Sequence, residues 1–109
     1  MNHSTNKTSS KLETPEKSYK ELCDHLDYLQ NEESLKRIKK AYLFAKKKHQ
    51  GQKRSSGEDY ITHPLAVATI LTSLKVDVDS IVSAILHDVV EDTDTSLDEI
   101  KEEFGSSVC

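Results

Sequence analysis

Apolar residues recur at intervals of three and four positions along most of the chain, which predicts a series of amphipathic helices. The first run predicts a helix from Tyr19 to about Asn31, and the second predicts a helix from Glu33 to Lys48 with an outer face rich in lysine. Residues 1–18 contain few apolar side chains, so their burial cannot offset the entropic cost of ordering this segment. We therefore expect a disordered tail over 1–18 and one domain over 19–109.

The second half of the chain predicts three further helices. One runs from His63 to about Leu74 and carries enough apolar residues to be enclosed on more than one side. The next, from Asp79 to about Glu91, is apolar nearly all round, which predicts a central position. The last ends before Gly105 and begins at either Thr95 or Ser96, each of which stands three residues before an acid.

The segment between the second and third helices, HQGQKRSSGEDYITHP, contains two glycines and paired serines without helical periodicity, which predicts a loop. No segment alternates apolar and polar residues as strands do, so we expect an all-α fold.

Composition narrows the function classes. A net charge of -4 with 31% charged residues describes a mildly acidic protein without the general basic field that nucleic-acid binding favours. A signal-peptide pattern and an apolar run of membrane-spanning length are both missing, so we expect a cytoplasmic protein with no membrane partner. Cys23 and Cys109 are too far apart to indicate a metal or redox pair, and we regard both as incidental.

The stretch SAILHDVVEDTDTS closes the fourth predicted helix with an unusual concentration of charge. The spacings of His87, Asp88, Glu91 and Asp92 place all four on neighbouring positions across one helical turn. Acids at the negative end of a helix dipole need a compensating positive charge, and a divalent metal ion bound by imidazole and carboxylate would supply it. The alternative is a core histidine bonded to a neighbouring carboxylate, and spacing alone does not decide between the two.

His63 lies at the start of the third helix, directly before Pro64. If the third and fourth helices pack antiparallel, His63 meets His87 and Asp88; otherwise His63 serves only to cap its own helix. A calcium loop counted from Asp92 is disfavoured, because its sixth position requires glycine and holds Leu97.

Lys53 and Arg54 precede two serines and Gly57, so two cations, two hydroxyls and flexible backbone N–H groups lie within five residues. This combination suits phosphate binding. A solvated surface loop is the alternative interpretation.

Two strings, HQGQKRSSGEDYITHPLAVATIL and AILHDVVEDTDTSLDEIKEEFG, together resemble the N-terminal hydrolase domain of the RelA/SpoT-type alarmone enzymes, a branch of the HD-domain phosphohydrolases. The resemblance covers about residues 35–108, and the combination of a GQKR-type loop, YITHP and LHDVVEDT is far more specific than a single His-Asp pair. It implies an all-helical HD-domain bundle. It also implies manganese-dependent removal of the 3′-pyrophosphate from guanosine tetra- or pentaphosphate, giving GDP or GTP, as in the stringent response.

The resemblance also implies roles for individual residues. They are metal ligands at His63, His87 and Asp88, an acidic pair assisting hydrolysis at Glu91 and Asp92, and nucleotide contacts at Lys53, Arg54 and Ser56. Family members specialised for alarmone synthesis have degenerate motifs at the HD and ED positions, whereas this chain retains both pairs. It is therefore expected to be competent for hydrolysis.

One departure from the family pattern concerns the metal site, which the family completes with an aspartate on a later helix. The chain ends shortly after its fifth predicted helix, so we expect a bundle that lacks its C-terminal helices, as in a fragment or truncated product. Loss of one carboxylate predicts weak Mn²⁺ binding and little or no turnover by this chain alone. Two other functions stay open: an HD phosphohydrolase acting on another nucleotide, and a nucleotide- or partner-binding module without chemistry.

Overall fold

The computed structural model of the chain describes residues 14–29 and 31–105. Within these ranges five α-helices form, and a 3₁₀ turn over Thr72–Leu74 continues the third of them. The helices are α1 (Pro15–Asp24), α2 (Glu32–Lys48), α3 (Thr62–Leu71), α4 (Val78–Asp92) and α5 (Leu97–Phe104). The part of the chain described here has no strand, only an isolated antiparallel bridge between Lys53 and Asp59. The prediction of an all-α fold is confirmed.

Four of the helices begin at a side chain that accepts a hydrogen bond from a backbone N–H of the first turn. These caps are Thr14, Asn31, Asp77 and Ser96. Each one satisfies a donor that the start of a helix leaves without a partner. Of the two candidates for the start of α5, Ser96 is therefore the cap, and Leu97 is already helical where a calcium loop would still have to turn.

The first helix begins and ends earlier than the apolar periodicity predicts. Thr14 caps it and Pro15 occupies its first turn, where the missing N–H and fixed φ of proline are favourable. Residues 15–18, within the segment predicted as a disordered tail, are helical in the structure, while residues 1–13 lie outside the described ranges. The predicted end near Asn31 is wrong because the helix stops at Asp24, and Leu26 reaches the core from the turn that follows.

Helix α4 is the centre of the bundle, as its composition predicts, because it packs against both α2 and α3. Its buried residues are Ile81, Val82, Ile85, Leu86 and Val89. From α2 they meet Ile38 and Ala41, and from α3 they meet Leu65 and Ala68, in one continuous core. Burial of this apolar surface is the main source of stability for the arrangement that holds α3 beside α4.

Helix α3 is enclosed on more than one side, as predicted, but it also has an exposed apolar row. Leu65 and Ala68 are fully buried, but Ile70 is 70% exposed and Leu74 in the 3₁₀ turn is 72% exposed. Helices α1 and α4 pack against α3, and among the described residues nothing covers its outer apolar row.

Aromatic contacts attach the outer helices to α2. The rings of Tyr19 and Tyr42 stack at 4.1 Å between centroids and join α1 to α2. Phe44 and Phe104 meet edge to face at 5.5 Å and join α2 to α5. In the described part of the chain, no helix is both long enough and apolar enough to cross a membrane. Cys23 is exposed, and Cys109 lies outside the described ranges.

Candidate metal centre and basic hairpin

Two helix ends meet at the charged end of α4. His63 is the second residue of α3, whereas His87 and Asp88 lie in the last turns of α4. Packing of α3 against α4 brings Nε2 of His63 to 3.9 Å from Oδ2 of Asp88. His63 does not cap its helix, since no side chain accepts a capping hydrogen bond at the start of α3.

Three side chains of α4 present ligand atoms within 4.8 Å of one another: His87, Asp88 and Glu91. Nε2 of His87 lies 4.0 Å from Oε2 of Glu91. The side chain of Asp88 is 14% exposed, while those of His87 and Glu91 are 69% and 66% exposed. The charge at the end of α4 is therefore mostly open to solvent, and Asp88 is the member of this group that needs a partner.

The donor atoms of this group fit a divalent metal ion. Imidazole nitrogen and carboxylate oxygen are both good ligands for first-row divalent cations. The separations of 3.9 Å and 4.0 Å are too long for hydrogen bonds, so neither His63 nor His87 is bonded to its neighbouring carboxylate. Because His87 is also largely exposed, the alternative of a core histidine satisfied by a carboxylate does not describe it.

Tyr60 adds a neutral donor to this group. Its hydroxyl donates a hydrogen bond of 3.1 Å to Oδ2 of Asp88. Burial, followed by the hydrogen bond and the negative charge of Asp88, raises the pKa of Tyr60 to about 12. The hydroxyl therefore keeps its proton at neutral pH and remains a donor to the carboxylate.

Two polar residues, the buried His49 and the half-buried Gln52, contact Tyr60. The ring of His49 is 2% exposed and lies 5.0 Å from the ring of Tyr60. Gln52 donates from Nε2 to the backbone carbonyl of Asp92 at 2.8 Å, which directs its Oε1 towards Nδ1 of His49 at 3.0 Å. The end of α4 and the loop after α2 are thus joined through one glutamine side chain.

The predicted phosphate-binding loop is an ordered hairpin over residues 52–60, which we call the basic hairpin. The backbone N–H of Tyr60 donates to the carbonyl of Gln52, and that of Arg54 donates to the carbonyl of Glu58. Gly57 takes φ of 98°, a left-handed conformation that glycine adopts at little cost. The cationic segment is therefore preorganised by its own backbone.

The cations of the basic hairpin are paired with its own acids. Lys53 forms an ion pair with Asp59, and Arg54 lies 3.4 Å from Oε1 of Glu58. Ser56 donates to the same Glu58 oxygen at 3.1 Å. Arg54 also lines a cleft between α1 and α3, together with Ser18, Thr62 and Ala66.

Three residues of this region were not among those predicted from the sequence: His49, Gln52 and Tyr60. All three fall within the strings HQGQKR and YITHP, in which only Lys53, Arg54 and His63 are predicted from the sequence as site residues. The signal in the sequence is an aromatic residue, Tyr60, and an amide, Gln52, close to the charged residues of this region. The contacts of Tyr60 and Gln52 with α4 span 28 and 40 residues of sequence, which spacing does not reveal.

Comparison with known proteins places this geometry in context. The model of the family described as HD domain matches residues 41–109. The chain is 51% identical over 77 residues to the bifunctional (p)ppGpp synthase/hydrolase SpoT of Escherichia coli K12, which is 71% of this chain and 11% of SpoT.

Two further relatives carry different functional names. Identity to the guanosine-3′,5′-bis(diphosphate) 3′-pyrophosphohydrolase of Aquifex aeolicus is 50% over 93 residues, covering 85% of this chain and 13% of the relative. Identity to the GTP pyrophosphokinase of Myxococcus xanthus is 56% over 71 residues, covering 65% of this chain and 9% of the relative. The chain spans only a small part of the length of the curated relatives it matches.

Proposed function

This chain belongs to the HD-domain family, in its RelA/SpoT-type branch, and on that basis we propose that it hydrolyses the 3′-pyrophosphate of guanosine tetra- or pentaphosphate. The products are pyrophosphate and GDP or GTP. The observation that carries the proposal is the meeting of His63 with Asp88 at the end of α4, where His87 and Glu91 also present ligand atoms. The names of two relatives support the choice of substrate.

We propose Mn²⁺ as the metal, with His63, His87 and Asp88 as its protein ligands. When bound, such a cation lowers the pKa of a coordinated water and offsets the negative charge of the pyrophosphate. Glu91 contributes a carboxylate to the same group in this structure, so it lies close enough to act on a water beside the metal.

The reaction adds one water across the bond between phosphorus and the ribose 3′-oxygen. Water attacks the phosphorus atom, the bond to the 3′-oxygen breaks, and pyrophosphate leaves with the oxygen of that water. One proton must be removed from the water and one must reach the 3′-oxygen. We assign both transfers to the pair Glu91 and Asp92, whose exposed positions at the end of α4 allow them to exchange protons with solvent.

The basic hairpin is proposed to bind the phosphates through Lys53 and Arg54, with Ser56 as a further contact. In this structure Lys53 and Arg54 contact Asp59 and Glu58. A phosphate group has more charge and more acceptor oxygens than a carboxylate, so it can replace these partners without leaving either cation unpaired. The carboxylates hold the cations in place until a nucleotide arrives.

Hydrolysis is tested with guanosine tetraphosphate and Mn²⁺ under single-turnover conditions, with the protein in excess over the nucleotide. This format detects even a slow reaction. We expect release of pyrophosphate and GDP above the rate without protein. Radiolabelled 3′-phosphates resolved by thin-layer chromatography measure both products.

Two outcomes of this assay would contradict the proposal. Binding of the nucleotide without release of pyrophosphate favours the non-catalytic binding module. Equal rates on guanosine tetraphosphate and on other nucleotides of similar charge favour an HD phosphohydrolase with a different natural substrate.

The role of the basic hairpin is tested by Arg54→Ala. Loss of one charge-assisted hydrogen bond is worth about 1.5–3 kcal/mol, so we expect roughly a 10- to 100-fold loss of hydrolysis of guanosine tetraphosphate. Hydrolysis of a small phosphodiester such as bis(4-nitrophenyl) phosphate is expected to change much less. Lys39→Ala removes the same charge from the exposed face of α2 and serves as the control. An equal loss on both substrates, or in both variants, would exclude a specific role for Arg54.

A further inference from the structure

Asp88 is the least exposed donor of the candidate metal centre, and its carboxylate is held by a tyrosine from the basic hairpin. We propose that Tyr60 is a positioning residue for this centre, whose hydroxyl fixes the Asp88 carboxylate in the orientation that binds the cation. This inference rests on the proposed function, because it takes Asp88 as a metal ligand.

The hydrogen bond from Tyr60 restricts the rotation of a side chain that the α4 backbone alone does not orient. Oδ2 of Asp88 accepts from Tyr60 at 3.1 Å and lies 3.9 Å from Nε2 of His63. The same oxygen is therefore fixed relative to a donor on another helix. Outer hydrogen bonds of this kind orient metal-binding carboxylates, and their removal weakens metal affinity.

Tyr60 itself has little freedom to move. Its backbone N–H donates to Gln52 and its carbonyl accepts from the N–H of His63, both at 2.9 Å. The centroid of its ring lies 5.0 Å from that of the His49 ring and 5.9 Å from that of the His63 ring. A hydroxyl on a ring with two ring neighbours is a better reference point for Asp88 than a mobile side chain or a water molecule.

The residues that contact Tyr60 are themselves connected to α4 by hydrogen bonds. His49 packs on Tyr60 and bonds to Gln52, and Gln52 donates to the carbonyl of Asp92 at the end of the same helix that carries Asp88. The two ends of the basic hairpin thus contact α4 at two points four residues apart. This arrangement keeps the distance from the Tyr60 hydroxyl to Asp88 from drifting.

The test compares Tyr60→Phe with Tyr28→Phe. Each substitution removes one hydroxyl: that of Tyr60 donates to Asp88, whereas that of Tyr28 donates to the carbonyl of Val76, outside the candidate site. Binding of Mn²⁺ is measured by electron paramagnetic resonance of the free ion, without nucleotide. We expect Tyr60→Phe to bind Mn²⁺ about 10-fold more weakly or worse, and Tyr28→Phe to bind like the unmodified chain.

Thermal unfolding without metal and hydrolysis at saturating metal complete the test. We expect the metal-free unfolding midpoint of Tyr60→Phe to match that of Tyr28→Phe, and its hydrolysis rate to recover as Mn²⁺ is raised. Recovery by metal distinguishes positioning of a ligand from general damage to the fold.

The outcomes separate this inference from the proposed function. If the unmodified chain binds Mn²⁺ and Tyr60→Phe binds it equally well, the role of Tyr60 is wrong and the proposed function stands. If both tyrosine variants lose affinity equally, the effect is not specific to Asp88 and the inference is again wrong. If the unmodified chain binds no Mn²⁺ at all, the proposed metal centre and the inference fail together.

Discussion

Asp88→Asn is expected to abolish Mn²⁺ binding and to reduce pyrophosphate release to the rate without protein. The amide keeps the shape of the side chain and can still accept from Tyr60, so the substitution removes charge without removing packing. Loss of an outer hydrogen bond costs about 10- to 100-fold in metal affinity, and we expect loss of a ligand to cost more than about 100-fold. Metal titration and single-turnover hydrolysis measure the two effects.

Asp94→Asn is the matched control for Asp88→Asn. It removes the same charge from an exposed acid just beyond the end of α4. Metal binding is expected to change by less than about 3-fold, since exposed charges are screened by solvent and salt. If Asp88→Asn binds Mn²⁺ as tightly as the unmodified chain does, Asp88 is not a metal ligand.

Ile85→Ala is expected to destabilise the fold by about 2–5 kcal/mol, because it empties a fully buried position at the centre of α4. Domains of this size are stable by only about 5–15 kcal/mol, so the loss is a large part of the total. Urea unfolding followed by far-ultraviolet circular dichroism measures the free energy of unfolding.

The same substitution at an exposed position is the control for Ile85→Ala. Ile70 on α3 is 70% exposed, and Ile70→Ala is expected to change stability by less than about 0.5 kcal/mol. If Ile85→Ala does not fold, Ile85→Val against Ile70→Val repeats the comparison with an expected loss of about 0.5–1.5 kcal/mol at position 85. Similar losses of unfolding free energy at positions 85 and 70 would contradict the burial of Ile85 in the core.

Most of the helical architecture could be predicted from the sequence, because local signals specify it. The apolar period and the capping side chains set α2 and α4 to within one residue of their predicted ends. The apolar period does not predict the start of α1, because few apolar residues surround its cap Thr14 and its first-turn residue Pro15. It does not predict the end of α1 either, because Leu26 and Leu29 continue the same period in a turn.

The candidate site could be predicted only in part. His63 and the HD and ED pairs at 87–88 and 91–92 follow from a motif and from the general tendency of consecutive helices to pack antiparallel. The structure brings His63 to 3.9 Å from Asp88. Pairing of Lys53 and Arg54 with acids of their own hairpin could not be predicted, because it depends on the backbone path between Gln52 and Tyr60. Whether the named residues bind metal and nucleotide stays a prediction.

The double attachment of the basic hairpin to α4 has a mechanical consequence. Its first arm carries Lys53 and Arg54, while its base is attached at Gln52 to the carbonyl of Asp92 and at Tyr60 to the carboxylate of Asp88. These two hydrogen bonds oppose movement of the hairpin away from the end of α4. We therefore expect the distance between the two cations and the acids of α4 to change little when a nucleotide binds.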